Sequence, residues 1–561
     1  MPFLEEKPRF RGIPLPPSGW VLTLLLVIYI FTGLIGHDPW KHDDAISIGI
    51  AHDIATHGNW LVLQLAGRPY PDAPLYYWIS SALGQLFSWL LPFHDAARLA
   101  SGIFTLLALE FILLAARELH GKDHAAAAPL ILAGSIGFLF HAHEAQPMLA
   151  ALTAHAAAYW GLTLLPRAPW RAAAIFGGAA AFGFLVNGLL PILTLVPATI
   201  IALTKSNSPL AHARAILVGI AASAVPCALW LVATNNSSPD YLASFFQAEI
   251  AALSRPVAPL SNLGRYLGLL LWYAWPALPL AGWALWNKRK VLGSRAIALP
   301  AVSFLAILAL LAGFAGMRSA TALLLLPPLV LLAVPGVASL RRGAANAFDW
   351  FGMTTFTLFA AVAWIGWSAL AFGWPERLAR QATRLHAGFT GEFNALAFGF
   401  ALTFTIVWLW MIVTSPRSPM RGIMHWMAGL TLFWVLIAAL WMPWINYGKT
   451  YRPVSAALAK ALPADYGCIA GANLQDSIRA SLDYFDDIRT VPLNNAAGKR
   501  CDTLLIYGEP RNPNGLANAG WQQTWQGQRP GDRHRNTLFH LYRREAKAPE
   551  STAETPLKSA K

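Results

Sequence analysis

Charged residues are scarce in this chain of 561 residues. Only 12% of the residues are Asp, Glu, Lys or Arg, whereas 56% are hydrophobic and the mean hydropathy is +0.45. Soluble domains carry about twice that charged fraction. The scarcity therefore excludes an ordinary soluble protein and indicates an integral membrane protein.

Acidic residues are fewer than basic ones, with 28 Asp and Glu against 42 Lys and Arg, which gives a formal net charge of +14. In a membrane protein, short loops rich in Lys and Arg mark the cytoplasmic side. Alternate loops, such as "EEKPRFR" and "NKRKVLGSR", are basic in this way. We therefore expect a cytoplasmic N-terminus, a periplasmic C-terminal part and no nucleic-acid partner.

Cysteine is nearly absent, with three residues in the chain. Cys468 and Cys501 lie in the outward C-terminal part, at the edges of two strand candidates. An oxidising compartment would allow a disulfide between them, and two buried thiols in adjacent strands are the alternative. Cys227 lies in an apolar run, which predicts a packing role.

Long apolar runs are abundant, and their number predicts about 13 membrane spans. The runs are 18–36, 99–116, 125–141, 148–165, 172–185, 188–203, 216–233, 266–286, 296–313, 321–338, 350–373, 395–413 and 424–444. The first run has no A-x-A cleavage site, so we expect it to remain as an anchor. We predict a membrane domain over 1–445, a small α/β domain over 446–545 and a disordered tail over 546–561.

The first outer loop, 37–96, is long and contains "KHDDAISIGI". Isoleucines at a four-residue spacing predict an amphipathic helix at the membrane surface, with Asp43 or Asp44 as its cap and Gly58 at its end. The later run "LYYWISSALGQLFSWLL" predicts a second surface helix. A cavity between such helices would suit a lipid-linked substrate.

Three motifs in this loop carry a family resemblance: the acidic pair followed by Ala, then "HGNW", then "GRPYPDAPLYYW". Together they resemble the first periplasmic loop of GT-C membrane glycosyltransferases, in the group of the lipid A aminoarabinose transferases and protein O-mannosyltransferases. The resemblance implies about 13 spans with a C-terminal periplasmic domain in the cell inner membrane. It also implies inverting transfer of a sugar from a polyprenyl-phosphate donor to lipid A, another glycan or a protein.

The resemblance also implies roles for single residues. Asp43 matches the family's catalytic carboxylate, which would take the proton of the acceptor hydroxyl. Helix capping alone is the alternative for Asp43. Arg318, in "GMRSATALLLLPPL", and Arg255, in "YLASFFQAEIAALSRP", match cations that would bind the donor phosphate. Simple snorkelling is the alternative for Arg318.

Several positions depart from the family pattern. Asp72 keeps an acidic position, whereas Ala73, Gln146 and Asn187 replace a Lys, an Asp and a Lys. The supporting acids that we predict are Asp44, Asp72, Glu144 and Glu249. The cavity-lining candidates are Tyr70, Tyr76, Tyr77, His143, Gln146 and Asn187.

The outer loops contain no dense group of His and Glu at the spacing typical of metal ligands. Ile250 also stands where the family pattern has a His. We expect no cofactor and metal-independent transfer, with Asp72 and Glu249 as the alternative metal site. Two other functions compete with transfer. A non-catalytic relative would keep the fold, and a lipid-linked sugar transporter or flippase would show an internal repeat, which is not apparent.

Overall fold

The computed structural model describes residues 19–254, 258–314, 318–463, 465–510, 513–518 and 520–544. Most of this part of the chain is helical. Arg255 and the predicted disordered tail, 546–561, lie outside the described residues.

The N-terminal half contains α1 to α12 and a short β-ribbon. The helices are α1 (Gly19–Phe31), α2 (His42–His57), α3 (Leu75–Leu86), α4 (Phe93–His120), α5 (Lys122–Ala125), α6 (Ala127–Ala133), α7 (Ile136–Ala142), α8 (Pro147–Leu164), α9 (Pro169–Asn187), α10 (Leu189–Thr204), α11 (Pro209–Ser237) and α12 (Pro239–Ser254). The ribbon pairs β1 (Gln64–Leu65) with β2 (Arg68–Pro69). Its turn residues, Ala66 and Gly67, both have positive φ, as a two-residue hairpin requires.

The second half of the membrane part contains α13 to α21. These are α13 (Pro259–Tyr273), α14 (Ala277–Asn287), α15 (Arg295–Phe314), α16 (Leu326–Ser339), α17 (Arg342–Phe372), α18 (Glu376–Leu385), α19 (Ala395–Thr414), α20 (Arg421–Leu436) and α21 (Met442–Lys449). Short 3-10 turns cover Arg289–Val291 and Thr321–Leu325, and a π-turn covers Ile437–Trp441. Several helices begin with Pro at the first turn, where its missing N–H does no harm.

Eight helices of the described chain are long and apolar enough to cross a membrane, and two bent helix pairs raise the number to ten. The bent pairs join α5 and α6 to α7 at 66°, and α13 to α14 at 99°. Every predicted apolar run coincides with a helix or a bent pair. The chain is therefore a multi-pass, mainly helical membrane protein, as its composition predicts.

The first outer loop differs from its prediction. Helix α2 ends at Gly58 in the left-handed conformation, as expected, but its N-cap is Lys41 and no side chain caps it. Ten of its sixteen residues are buried. Helices α3 and α23 (Asp476–Asp486) cover it, and Gly49 permits the close approach of Ala480. The prediction of a surface helix capped by Asp43 or Asp44 was therefore wrong.

The C-terminal part folds around a five-stranded mixed sheet. Its strands are β3 (Ile469–Ala472), β4 (Thr490–Pro492), β5 (Thr503–Tyr507), β6 (Trp521–Gly527) and β7 (Phe539–Arg544), in the order β4-β3-β5-β7-β6. Its helices are α22 (Arg452–Ala461), α23, α24 (Ala496–Arg500) and α25 (Pro513–Asn518). Strand β3 is parallel to both neighbours, whereas β7 is antiparallel to both of its own. The alternating runs "CIAGA", "DTLLIYG" and "TLFHLYRR" predict β3, β5 and β7, whereas no such run predicts β4 or β6.

Ion pairs and hydrogen bonds attach this sheet domain to the first outer loop. Asp38 accepts hydrogen bonds from the Arg452 guanidinium and from the Thr450 hydroxyl at 2.7 Å. The Arg479 guanidinium donates to the Leu65 carbonyl at 3.1 Å. The helix that carries Asp43 is thus held between the membrane helices and the C-terminal domain.

A disulfide joins Cys468 to Cys501 with a Cα–Cα distance of 5.3 Å. It connects the chain just before β3 to the chain just before β5, which are neighbours in the sheet. The sequence left this disulfide and two separate thiols as alternatives, and the structure favours the disulfide. Cys227 is a free cysteine.

Replacing both Cys468 and Cys501 by serine should destabilise the C-terminal domain by about 3–4 kcal/mol, because the bond closes a segment of 33 residues in the unfolded chain. Thermal unfolding in detergent measures this loss. Labelling of the denatured protein with a maleimide reagent provides the control. One cysteine should react without a reductant and three with it; three without a reductant would contradict the bond.

Candidate functional site

A cavity of about 570 Å³ lies where the first outer loop meets the membrane helices. It is lined from α2, α3 and the loop before it, the start of α8, the end of α9, the start of α10, α12 and the segment before α16. The predicted site residues that line it are Asp43, Tyr70, Asp72, Tyr77, Gln146, Asn187, Glu249 and Arg318. Eight candidates spread over 276 positions of the chain thus lie around one space.

Asp43 is in the first turn of α2 and is partly exposed to the cavity. Its Oδ2 accepts a hydrogen bond from the Gln146 side-chain amide at 2.9 Å. Gln146 is the N-cap of α8, and its Oε1 accepts from the backbone N–H of Met148. Among the described residues, no side chain bonds to the other oxygen of Asp43. The carboxylate is therefore oriented by one neighbour and still able to accept a proton.

Asp72 also lines the cavity and is held by Tyr77, whose hydroxyl donates to Oδ2 at 2.7 Å, and by the backbone N–H of Ala73 at 2.8 Å. Tyr241 bonds to the backbone of the same segment. Burial raises the pKa of Asp72 to about 6, against the hydrogen bonds from Tyr77 and Ala73, which lower it. This carboxyl therefore changes its charge near neutral pH.

Glu249 reaches the cavity from α12. Its Oε2 accepts from the backbone N–H of Leu189 at 2.7 Å and so caps the first turn of α10. Gly188 precedes this turn at a φ of 62°, and a Cβ there would lie 2.3 Å from the carboxylate. Burial raises the pKa of Glu249. A Cβ at this position would displace the carboxylate, and the positive φ also favours glycine, so Gly188 lets Glu249 bond at the start of α10.

Arg318 is exposed at the cavity margin. Its backbone carbonyl accepts from the Thr321 hydroxyl at 2.8 Å, and Thr321 also bonds to the Tyr266 hydroxyl. Within the described part of the chain, the guanidinium has no ion pair and no hydrogen bond. A fixed backbone therefore presents an unpaired cation to the cavity, where it can bind an anion.

Asp44 does not face the cavity. It is fully buried and makes two hydrogen bonds with Arg98, at 2.9 and 2.8 Å, while the backbone N–H of Ala145 donates to it at 2.8 Å. Burial would raise the pKa of Asp44, but the charge and hydrogen bonds of Arg98 hold it below its ordinary value. Asp44 thus ties the start of α2 to α4 and to the loop before α8.

Arg98 is a residue that the sequence reasoning missed. Its guanidinium is fully buried and also bonds to Asp95 at 2.9 Å and to the His37 carbonyl at 2.8 Å. The sequence could have indicated Arg98, because it is the single arginine of the apolar stretch "AARLASG", and a buried charge near a membrane span needs a partner. Arg98 does not line the cavity, so it is a positioning residue for the turn that carries Asp43.

Two residues that were predicted to line the cavity, Tyr76 and His143, also lie away from it. Tyr76 is buried and bonds to Ser101 at 2.8 Å, because it occupies the face of α3 that packs on α4. His143 is buried, with both ring nitrogens close to backbone carbonyls of Leu139 and Tyr29. The prediction that Tyr76 and His143 line the cavity was therefore wrong.

Glu144 pairs with Lys41 at 3.2 Å outside the cavity lining. Burial raises its pKa to about 7, although the nearby Lys41 ammonium lowers it. Lys41 and His141 enclose Glu144, so it does not line the cavity, and its role as a supporting acid stays a prediction.

Metal ligands are not grouped in the described ranges: no three His, Cys, Asp or Glu side chains come together there. Asp72 and Glu249 both line the cavity, but no third ligand joins them among these residues.

No model of a protein family matches this chain. It is 30% identical over 254 residues to the undecaprenyl phosphate-alpha-4-amino-4-deoxy-L-arabinose arabinosyl transferase of Edwardsiella ictaluri, an alignment that covers 41% of this chain and 43% of that protein. The enzyme of the same name from Aeromonas salmonicida is 26% identical over 245 residues, with the same coverage. The chain thus spans less than half the length of these curated relatives.

The structure is similar over nearly its full length to that of ArnT from Cupriavidus metallidurans bound to undecaprenyl phosphate. The TM-score is 0.66 at 16% sequence identity, and the alignment covers 93% of this chain and 98% of that one. The apo structure of the same protein gives a TM-score of 0.65. The chain has the fold of this transferase, which confirms the GT-C fold that the first-loop motifs predicted.

Proposed function

We propose that this protein is a membrane glycosyltransferase that moves a sugar from a polyprenyl-phosphate donor to lipid A. The observation that carries the proposal is the single cavity that brings Asp43, Asp72 and Glu249 together with the unpaired Arg318. A carboxylate able to accept a proton and a cation able to bind phosphate are the two groups that such a transfer needs. The names of the relatives support a donor linked to undecaprenyl phosphate, and lipid A as the acceptor follows from the family resemblance of the first-loop motifs.

In the proposed reaction, the acceptor hydroxyl attacks the anomeric carbon of the donor sugar from the side opposite the phosphate. Asp43 accepts the hydroxyl proton while Gln146 keeps the carboxylate oriented. The bond between the anomeric carbon and the phosphate oxygen breaks, and the electron pair leaves with the phosphate. Arg318 stabilises the negative charge that develops there. The configuration at the anomeric carbon is inverted, and no metal is required.

We also propose 13 spans in the inner membrane, a cytoplasmic N-terminus and a periplasmic domain beginning near residue 446. The eight long helices, two bent pairs, the apolar helices Leu22–Phe31 and Leu189–Thr204, and α8 account for that number. The disulfide in the C-terminal domain supports a periplasmic location, because such bonds persist in oxidising compartments. The cavity would then open on the periplasmic side.

The direct test incubates the purified full-length protein with an undecaprenyl-phosphate sugar and lipid A, and follows the products by mass spectrometry. We expect lipid A to gain the mass of one sugar residue and undecaprenyl phosphate to appear in equal amount. In proteoliposomes, movement of the donor across the bilayer without transfer would indicate a flippase. Binding of the donor without either outcome would indicate a non-catalytic relative.

Neutralising Arg318 should weaken donor binding. The change Arg318→Gln should raise the KM for the donor about 10- to 100-fold, since a hydrogen bond to a charged group contributes about 1.5–3 kcal/mol. Arg318→Lys should recover part of the loss. Arg265 is also exposed but lies outside the cavity lining, so Arg265→Gln is the matched control. Equal KM values for the two Gln variants would show that Arg318 does not bind the donor and only extends its side chain to the membrane surface.

Transfer should depend on pH through Asp72. Because its pKa is about 6, the carboxyl is mainly neutral at pH 5 and mainly ionised at pH 7. We propose that the anion holds the donor sugar, so kcat/KM should rise about tenfold over this interval. Asp72→Asn should lower kcat/KM and abolish the rise. A variant that keeps the same rise would assign it to another group.

A further inference from the structure

A second cavity, of about 330 Å³, lies where the ends of five helices of the membrane part meet, namely α4, α5, α14, α15 and α16. His120 ends α4, His124 lies in α5, Lys288 follows α14 and Ser339 ends α16. Val291 and Pro335 add apolar surface to its walls. None of its lining residues is Asp or Glu.

This cavity lies on the opposite face of the protein from the proposed active site. Helix α4 has 28 residues and is therefore about 42 Å long. The Arg98 network lies in its first turns and His120 at its last residue. Helix α16 likewise begins after Thr321, beside the active-site cavity, and ends at Ser339. The second cavity is thus at the level of the lipid headgroups of the other leaflet.

The neighbouring arginines already have partners within the protein. Arg289 lies over the Trp286 ring at 5.0 Å, and Arg341 lies over the Trp283 ring at 5.8 Å. Arg295 donates to a backbone carbonyl of α8. In contrast, the Lys288 ammonium is exposed and has neither an ion pair nor a hydrogen bond in the described chain. Lys288 is therefore a cation available to a ligand in the cavity.

We propose that this cavity binds the headgroup of an anionic glycerophospholipid. Lys288 faces the phosphate, with His124 beside it, and the apolar walls at Val291 and Pro335 contact the glycerol and the first carbons of the acyl chains. A free anion would gain nothing from these walls, whereas a lipid buries its apolar part there. The proposal concerns a separate site and does not depend on sugar transfer.

Native mass spectrometry of the full-length protein in detergent tests this site. Phosphatidylglycerol should bind at least about fivefold more tightly than phosphatidylcholine. Lys288→Gln should reduce this preference about fivefold, because one basic residue near a headgroup contributes about a factor of five. Lys290→Gln removes the same charge two residues away, outside the cavity lining, and should leave the preference unchanged. Inorganic phosphate should not compete.

A variant that fills the cavity without changing the charge distinguishes a lipid-binding cavity from a basic surface. Val291 is 50% exposed and lines the cavity, so Val291→Trp should fill the space and weaken phosphatidylglycerol binding without altering charge. Equal effects of Lys288→Gln and Lys290→Gln, or no effect of Val291→Trp, would overturn the proposal. Competition by inorganic phosphate would overturn it in favour of a free-anion site.

Discussion

The change Asp43→Asn is expected to lower kcat for sugar transfer by about 10²- to 10⁴-fold, the usual contribution of a general base. Asparagine has the size of aspartate, and its carbonyl oxygen can still accept the hydrogen bond that Gln146 donates. The variant therefore keeps the geometry of the site and loses only the ability to take a proton. Single-turnover kinetics with a labelled polyprenyl-phosphate sugar measures the chemical step.

The matched control for Asp43 is Asp240→Asn, because Asp240 is likewise in the first turn of an outer helix but is exposed and outside the cavity lining. It should transfer at the parent rate. The KM for the donor should change little in Asp43→Asn, since the base acts on the acceptor. A kcat within about threefold of the parent would remove Asp43 as the base and leave it a structural role at the start of α2.

Removal of the buried cation at Arg98 should cause the largest loss of stability. The change Arg98→Met keeps much of the side-chain volume but leaves Asp44 and Asp95 buried without their partner. Breaking a buried ion pair from one side costs about 3–5 kcal/mol. We expect a large fall in Tm in detergent, together with loss of activity, because the turn carrying Asp43 loses its anchor.

Two further variants separate this mechanism from a general loss of charge. Arg117→Met alters an exposed arginine near the other end of the same helix and should leave Tm nearly unchanged. The double variant Asp44→Leu with Arg98→Met removes both charges of the pair and should be more stable than Arg98→Met alone. If the double variant is no more stable than Arg98→Met, the uncompensated buried charge of Asp44 is not the cause of the loss.

Much of the fold could be predicted from local sequence. Spans follow from apolar runs, and Gly58 was recognised as the end of α2 because a helix end is decided by a few neighbouring residues. The first-loop motifs also located Asp43, Tyr70 and Asp72 on one cavity. These features depend on short stretches of chain, which periodicity and motif spacing describe well.

The environment of single side chains could not be predicted in the same way. Asp44 looks like a helix cap in its own segment, but its partner Arg98 is 54 residues away. Helix α2 has the pattern of a surface helix, yet α23 covers it from the other end of the chain. Tyr76 and Tyr77 are adjacent and both buried, and only the packing of α3 on α4 decides that Tyr76 bonds to Ser101 while Tyr77 lines the cavity.

Because the C-terminal domain covers α2, the parts of the protein fold in a definite order. His42 bonds to Ser477 across 435 residues, so the segment beside the catalytic candidate meets this neighbour only after that length of chain has been translated. At about 5–20 residues per second, that interval is roughly 20–90 s. The membrane helices can thus insert first, and a truncated chain would leave the helix of Asp43 uncovered. Completion of the site is thereby linked to synthesis of the domain that contains α23.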